Sequence, residues 1–249
     1  LDNLRLTNEI SKICKREFER GKINVSSAGT MLSFMEKPNF KMSIGFAQYS
    51  AEGNLCGDTI KTINDSRGHM IFIISDGMGK GSRAALDGAM GAGLLSKLLS
   101  AGFGFDSSLK VVNSALLVKS HEESLATLDC IRVDLFSGKC EFYKAGAPKS
   151  YVVKENSLTK CELTSMPAGI LRGVEFAKRT TLLNTDDEII MMSDGITDVG
   201  DDWLEEFLKL ETSFDPNEKA KAILRLALEN SDEKHRDDMS VIVAKMIEK

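Results

Sequence analysis

The sequence predicts an α+β layered sandwich, and three observations lead there. Apolar runs of strand length arrive in blocks, above all across residues 129–153, instead of alternating one for one with helices. Helical stripes arrive in pairs, 83–99 with 106–119 and 201–210 with 216–230. The 249 residues, 42% hydrophobic and 28% charged, suffice for one well-buried core.

Residues 1–20 carry Leu6, Ile10, Ile13, Cys14 and Phe18 on a helical stripe, with charges between them. Residues 21–37 contain Gly21, Ser26, Ser27 and Gly29 and read as a link or a second short helix. These two stretches form a first segment, 1–38, set apart from a main domain at 39–249. A strand covers 40–49 and ends in the turn signal Ser50, Glu52, Gly53, Asn54. Residues 70–74 are a continuous apolar run, the pattern of a strand buried on both faces. The helix at 83–99 is rich in Ala and Gly, so it packs closely on its neighbours. Strands at 129–135, 138–145 and 151–153 follow the helix at 106–119, joined by tight turns at Ser137-Gly138 and Ala147-Pro148. Further strands cover 174–183 and 189–192. After the second helix pair, in which Ala220, Ile223, Leu224, Ala227 and Leu228 share a face, a last strand begins at 239.

Composition narrows the function. A net charge of −5 disfavours a nucleic-acid partner. Five cysteines with no C-x-x-C pair point to reduced thiols in a cytosolic setting and away from structural zinc. No apolar stretch is long enough to span a bilayer, so no membrane contact is expected of these residues. The chain opens at Leu1, and a longer protein with an upstream membrane anchor is the expectation.

Chemistry is suggested by how the strands end. Residues 71–74 run into Ser75-Asp76-Gly77, and residues 189–192 run into Ser193-Asp194-Gly195. Asp237-Asp238 directly precedes the last strand, and Asp58 follows Gly57. Buried strands fix their ends well, so carboxylates placed there can converge. Converging carboxylates repel unless a cation sits among them, and all-oxygen donors suit Mg²⁺ or Mn²⁺. None of His69, His121 and His235 falls within these motifs. One Asp-Gly after a strand is usually only a turn. From pattern alone, the turn reading and the shared-site reading both stand. The loop from Gly77 to Gly81 matches neither phosphate-binding fingerprint: Ile74 stands where a Walker A glycine is required, and the third glycine comes one place early for a dinucleotide loop.

Taken together, these motifs resemble the PPM (PP2C-type) metal-dependent serine/threonine phosphatases. The resemblance is carried by Gly57-Asp58, the run from Ser75 to Gly81, Ser193-Asp194-Gly195 and Asp237-Asp238-Met239-Ser240. Ala126-Thr127-Leu128-Asp129, Gly146-Ala147-Pro148 and Pro167-Ala168-Gly169-Ile170-Leu171 resemble the bacterial branch typified by the stage II sporulation protein E phosphatase domain. The likeness covers about residues 40–247. It implies a four-layer α-β-β-α sandwich and a pair of Mn²⁺ or Mg²⁺ ions. Asp76 would bridge the ions and the Gly77 carbonyl would bind one of them. Asp194 and Asp237 would hold the second, and Asp58 would support the first. Asp238 would act from behind these ligands. The implied reaction is hydrolysis of a phosphoserine or phosphothreonine ester by hydroxide held between the ions, with Asp58 and Asp76 as its catalytic carboxylates.

The resemblance further implies a small phosphoprotein substrate of the anti-anti-sigma type, whose dephosphorylation releases a sigma factor in sporulation. It also implies self-association, here as a homodimer, through the helical segment before the catalytic domain. Two departures stand out. Met78 occupies a place where eukaryotic members carry histidine, so the leaving group must draw its proton from water or with help from Lys80. Cys56-Gly57 replaces a more usual Ser-Gly. Thr59 and Lys61 read as ordinary strand residues with a place near the site as the alternative. Two rival functions remain on the same residues: a catalytically idle phosphoprotein-binding module, and a nucleotide-binding enzyme using the glycine loop.

Overall fold

The computed structural model describes residues 3–249 except 52, 54, 66, 80, 120–123, 156 and 211–214. Glu52, Asn54, Lys80 and His121 therefore lie outside the described residues. The chain forms two compact units, Leu1–Asn39 with Lys249, and Phe40–Glu248.

In the first unit, helix α1 spans Asn3–Cys14. The helix stops there, short of the expected residue 20, because Lys15 turns left-handed at φ 53°. Ile13 of the expected apolar stripe is 81% exposed. Residues 21–37 are neither a link nor a helix. They contain an antiparallel hairpin, β1 (Lys22–Ser26) and β2 (Gly29–Ser33), with Ile23 opposite Leu32 and Val25 opposite Thr30. Ile23, Val25 and Thr30 are β-branched residues that favour extended backbone. Gly29, at φ 135°, supplies the turn conformation a side chain would resist.

The second unit begins with β3 (Phe40–Tyr49), β4 (Asp58–Asn64) and β5 (His69–Asp76). Two helices follow, α2 (Ser82–Ser100) and α3 (Phe105–Lys119). Next come β6 (Leu128–Asp134), β7 (Lys139–Ala145), β8 (Ser150–Lys154), β9 (Ser157–Cys161), β10 (Ala177–Leu182) and β11 (Glu188–Met192). The one-turn α4 (Asp194–Thr197), then α5 (Asp202–Leu210), α6 (Pro216–Asn230) and β12 (Met239–Glu248), complete it. Strand β9 was not anticipated: Ser-Leu-Thr-Lys-Cys has too little apolar alternation, and it lies at a sheet edge.

The strands form two five-stranded antiparallel sheets, ordered β10-β7-β6-β5-β4 and β3-β12-β11-β8-β9. Side chains alternate across a strand, which explains why β5 is apolar at every central position. Phe72 and Ile74 point into the core between the sheets, with Ile131, Phe142, Ile189, Met191, Ile242 and Ala244. Ile71 and Ile73 point the other way, onto Leu95, Val112 and Leu116 of α2 and α3. The second sheet repeats the logic. Ile190, Met192, Val241 and Val243 face Leu204, Leu208, Ile223 and Ala227 of α5 and α6. Three apolar layers thus separate four structural layers, the α-β-β-α arrangement. Each fully buried Leu, Ile or Phe contributes roughly 1.5–3 kcal/mol.

Candidate active site

Two strand ends from the first sheet and two segments from the second meet at one end of the sandwich. Asp58 opens β4, Asp76 closes β5, and the two are direct partners in the antiparallel ladder. Directly opposed residues hold their Cβ atoms about 5 Å apart. Asp194 follows the end of β11 and begins α4, while Asp237 lies two residues before β12. Ser193 N–H donates to the Ser240 carbonyl at 3.0 Å, so β11 and β12 deliver both residues to the same edge.

The glycines act by permitting close approach. A Cβ on Gly77 would lie 1.9 Å from the Ala84 carbonyl of α2. A Cβ on Gly88 of α2 would lie 2.3 Å from the Gly57 carbonyl. Gly77 N–H donates to that same carbonyl at 3.3 Å. Three glycines therefore let α2 press onto the strand ends that carry Asp58 and Asp76. The Gly77 carbonyl oxygen faces this junction, 3.6 Å from where a Gly57 Cβ would sit.

Other side chains hold the frame. Thr127 Oγ1 accepts from Asp76 N–H at 3.1 Å, and Thr127 N–H donates to the Asp76 carbonyl at 2.8 Å. Ser75 Oγ donates to the Thr127 carbonyl at 2.8 Å. Asp238 accepts from the backbone N–H groups of Ala51, at 2.8 Å, and Gly57. It thereby fixes the loop that leads into Asp58. Gln48 on β3 donates to Ser240 Oγ at 2.9 Å, tying that strand to β12. The sequence motifs contained Thr127 and Asp238 but gave no sign of these hydrogen bonds, which depend on register between distant segments. Thr59 and Lys61 stand along β4 opposite Ser75 and Ile73, and Lys61 is exposed. His69 and His235 are bound to Asp65 and Asp232, outside the cluster.

The electrostatics are those of crowded like charges. Burial, then the charges of Asp194, Asp58 and Asp237, push the Asp76 carboxyl up to about 9. Burial likewise raises Asp194, with Asp198 and Asp237 adding to the effect. Burial pushes Asp58 up to about 6; the neighbouring Ser240 and Ser193 hydroxyls ease its charge without reaching hydrogen-bonding geometry. Asp58 is 5% exposed, and both its carboxylate oxygens are buried without a hydrogen-bond partner. Leaving such atoms unpaired costs several kcal/mol for an ion. Among the described residues no three acidic, histidine or cysteine side chains close on a single point. Two orphaned buried oxygens on Asp58, with the charges of Asp194 and Asp238 near them, are a donor type that suits hard divalent cations. Burial, with Asp58 next in effect, pushes the Cys56 thiol up to about 12, so it stays protonated and is no nucleophile.

A cleft of about 770 Å³ lies elsewhere. Its wall includes Val153, Asp187, Glu188, Lys219 and Lys245, at the end of β11 opposite Asp194. Its buried charges are already matched, with Lys219 Nζ 2.6 Å from Glu188 Oε2.

The chain has relatives among known proteins. Residues 66–247 match the family model described as Stage II sporulation protein E (SpoIIE). The chain is 28% identical over 222 residues to Stage II sporulation protein E of Bacillus subtilis, a match that covers 86% of this chain and 27% of that protein. It thus spans about a quarter of that relative's length. The solved structure of the PP2C phosphatase domain and a fragment of the regulatory domain of SpoIIE from Bacillus subtilis superposes with a TM-score of 0.81 at 25% identity. That superposition covers 100% of this chain and 75% of the other. The catalytic domain of the serine/threonine phosphatase PstP, solved with two manganese ions, shares the fold at a TM-score of 0.68 and 18% identity, over 84% of this chain and 100% of that one.

Proposed function

Because the chain belongs to the stage II sporulation protein E family of PP2C-type phosphatases, we propose that it hydrolyses phosphoserine or phosphothreonine on a protein. The observation that carries this reading is the buried, unpartnered Asp58 carboxylate opposite Asp76 in the ladder. Asp58, Asp76, the Gly77 carbonyl, Asp194 and Asp237 would hold two Mn²⁺ or Mg²⁺ ions. When bound, such a pair lowers the pKa of water towards neutrality and offsets charge on the phosphoryl oxygens.

The chain's own residues prepare that role. Asp76 and Asp58 give up protons held by burial and mutual repulsion. Thr127 keeps the Asp76 backbone in place, and Asp238 keeps the Gly57–Asp58 turn in place. Protonated Cys56 takes no part as a nucleophile, which favours direct attack by water over a phosphoenzyme. Met78 has no proton to give, so the leaving serine takes its proton from water or with help from Lys80, which lies outside the described residues.

The substrate we propose is a small phosphoprotein of the anti-anti-sigma type, which links the activity to sigma-factor control in sporulation. Family membership supports this, as it does a homodimer formed through α1. We place the activity in the cytoplasm. No helix among the described residues is long and apolar enough to cross a membrane. The test is turnover of a phosphoserine protein with and without Mn²⁺. Wild type should be metal-dependent, and Asp76→Asn should lose at least about a hundredfold in kcat/KM. Equal activity in the variant would remove Asp76 from the mechanism. Tight binding of the phosphoprotein with no turnover would favour an idle recognition module.

A further inference from the structure

Beside the aspartates, the surface carries large apolar side chains on a backbone that is firmly held. Gly77 bridges to Ala126, and Ala126 bridges to Ala168, so three short segments lie side by side like strands. Met78 N–H donates to the Leu125 carbonyl at 3.0 Å, and Ala126 and Ala168 exchange hydrogen bonds at 3.0 and 2.9 Å. The segment 166–171 is pinned from beneath as well. Asn113 of α3, 4% exposed, accepts from Gly169 N–H at 2.7 Å and donates to the Leu171 carbonyl at 2.9 Å. A Cβ on Gly146 would lie 2.7 Å from Pro167 Cα, so the loop packs there without a gap. Yet Met78, Met166, Ile170 and Leu171 are 52%, 53%, 47% and 42% exposed.

A single exposed apolar side chain means little. Four of them, on the two outer segments of this hydrogen-bonded trio, make a patch, and such patches mark interaction sites. Rigid backing matters too, because little ordering entropy is lost when a partner docks.

We infer that Met78, Met166, Ile170 and Leu171 form a docking surface for the phosphoprotein substrate, and that they recognise an apolar side chain near its phosphoserine. This rests on the phosphatase reading above. The occupant follows from continuity: Met78 adjoins Gly77, so a chain delivering a phosphoserine to Asp58 and Asp76 along these segments meets the patch. Two strand spacings of about 4.8 Å separate the Gly77 and Ala168 backbones, a span of about 10 Å. An extended peptide covers that in about three residues. The preferred substrate therefore carries Leu, Ile, Val or Met about three positions from the phosphoserine.

The test uses two phosphoserine peptides that differ only there, leucine against serine, with p-nitrophenyl phosphate as a probe that carries no residue at that position. Wild type with Mn²⁺ should favour the leucine peptide by about tenfold in kcat/KM, the effect of burying one such side chain. Ile170→Ser and Met166→Ser, both at exposed positions, should each shrink that ratio towards one. They should act through KM on the leucine peptide. Equal use of the two peptides by wild type, or a preference that survives both substitutions, overturns the inference while leaving the phosphatase reading intact. Failure of wild type to hydrolyse either peptide or p-nitrophenyl phosphate overturns the reading itself and the inference with it.

Discussion

At the residue scale, the aspartates trade stability for function. A carboxyl whose pKa is raised by folding binds its proton more tightly in the folded state than in the unfolded chain. The stability it lends is complete below the unfolded value near 4 and is lost as pH rises through the folded value. For Asp58 that window runs from about 4 to about 6, and for Asp76 from about 4 to about 9. Metal-free protein should therefore lose thermal stability from pH 5 to pH 8.5, and Mn²⁺ should restore it most at the alkaline end. Asp76→Asn should stabilise the metal-free protein at pH 8.5 by about 1–3 kcal/mol, discounted for its partial exposure, and should blunt both trends. Differential scanning calorimetry across that range decides. A flat profile for metal-free wild type would mean that the carboxylates do not feel one another.

Asp76 and Asp194 are legible in the sequence itself, because each terminates an apolar run with the same tripeptide, Ser-Asp-Gly. Asp238 and Thr127 show the opposite case. Their side chains were visible as motif members, but what they bind is backbone far away in sequence, at residues 51, 57 and 76. No local pattern encodes such a bond; it exists only once the strands are in register.

At the scale of elements, α2 is the support on which the site rests, and its glycines are not equivalent. In an exposed helix interior, replacing glycine with alanine gains up to about 1 kcal/mol. Gly93 has nothing within 4 Å of a new Cβ, so Gly93→Ala should follow that rule and raise the melting temperature. Gly88, five residues earlier on the same helix, would drive its Cβ to 2.3 Å from the Gly57 carbonyl. Gly88→Ala should cost about 1–3 kcal/mol, because backbone there must shift, and should weaken Mn²⁺ binding by displacing Asp58. Denaturant unfolding and Mn²⁺ titration on the two variants give opposite signs if helix approach sets the site. The same sign for both would deny α2 that role. The compositional hint, an Ala- and Gly-rich helix, announced close packing without saying which glycine was in contact. The hairpin at 22–33 was hidden for a related reason: Ser26, Ser27 and Gly29 look alike in a linker and in a turn, and only pairing with a second strand distinguishes them.

At the scale of the whole molecule, the two sheets are joined by apolar packing and by polar contacts, among them a fully buried lock at Lys144. Lys144 of β7 is fully buried, with Nζ 2.7 Å from Asp129 Oδ2, 2.8 Å from Ser150 Oγ and 2.6 Å from the Pro148 carbonyl. Asp129 belongs to the first sheet and Ser150 to the second, while Pro148 lies in the turn between them. Burial raises the Asp129 carboxyl, and the Lys144 charge opposes that rise. One Asp129 oxygen has no partner, so the lock is incompletely satisfied. Desolvation then consumes most of the attraction, and the pair adds little net stability over an apolar replacement. Removing one half is different, since it strands a charge in the core. Asp129→Ala should cost about 3–5 kcal/mol, while Asp129→Leu combined with Lys144→Met should cost far less than the single change. If the lock serves to fix how the sheets meet, the double variant should keep its stability yet bind Mn²⁺ more weakly. Asp129 lies only two residues beyond Thr127, and Thr127 holds Asp76. Urea unfolding read beside Mn²⁺ titration separates these effects. A double variant equal to wild type in both would reduce Lys144 and Asp129 to replaceable filling, and would leave apolar contacts such as Phe72 against Ile242 to align the four layers unaided.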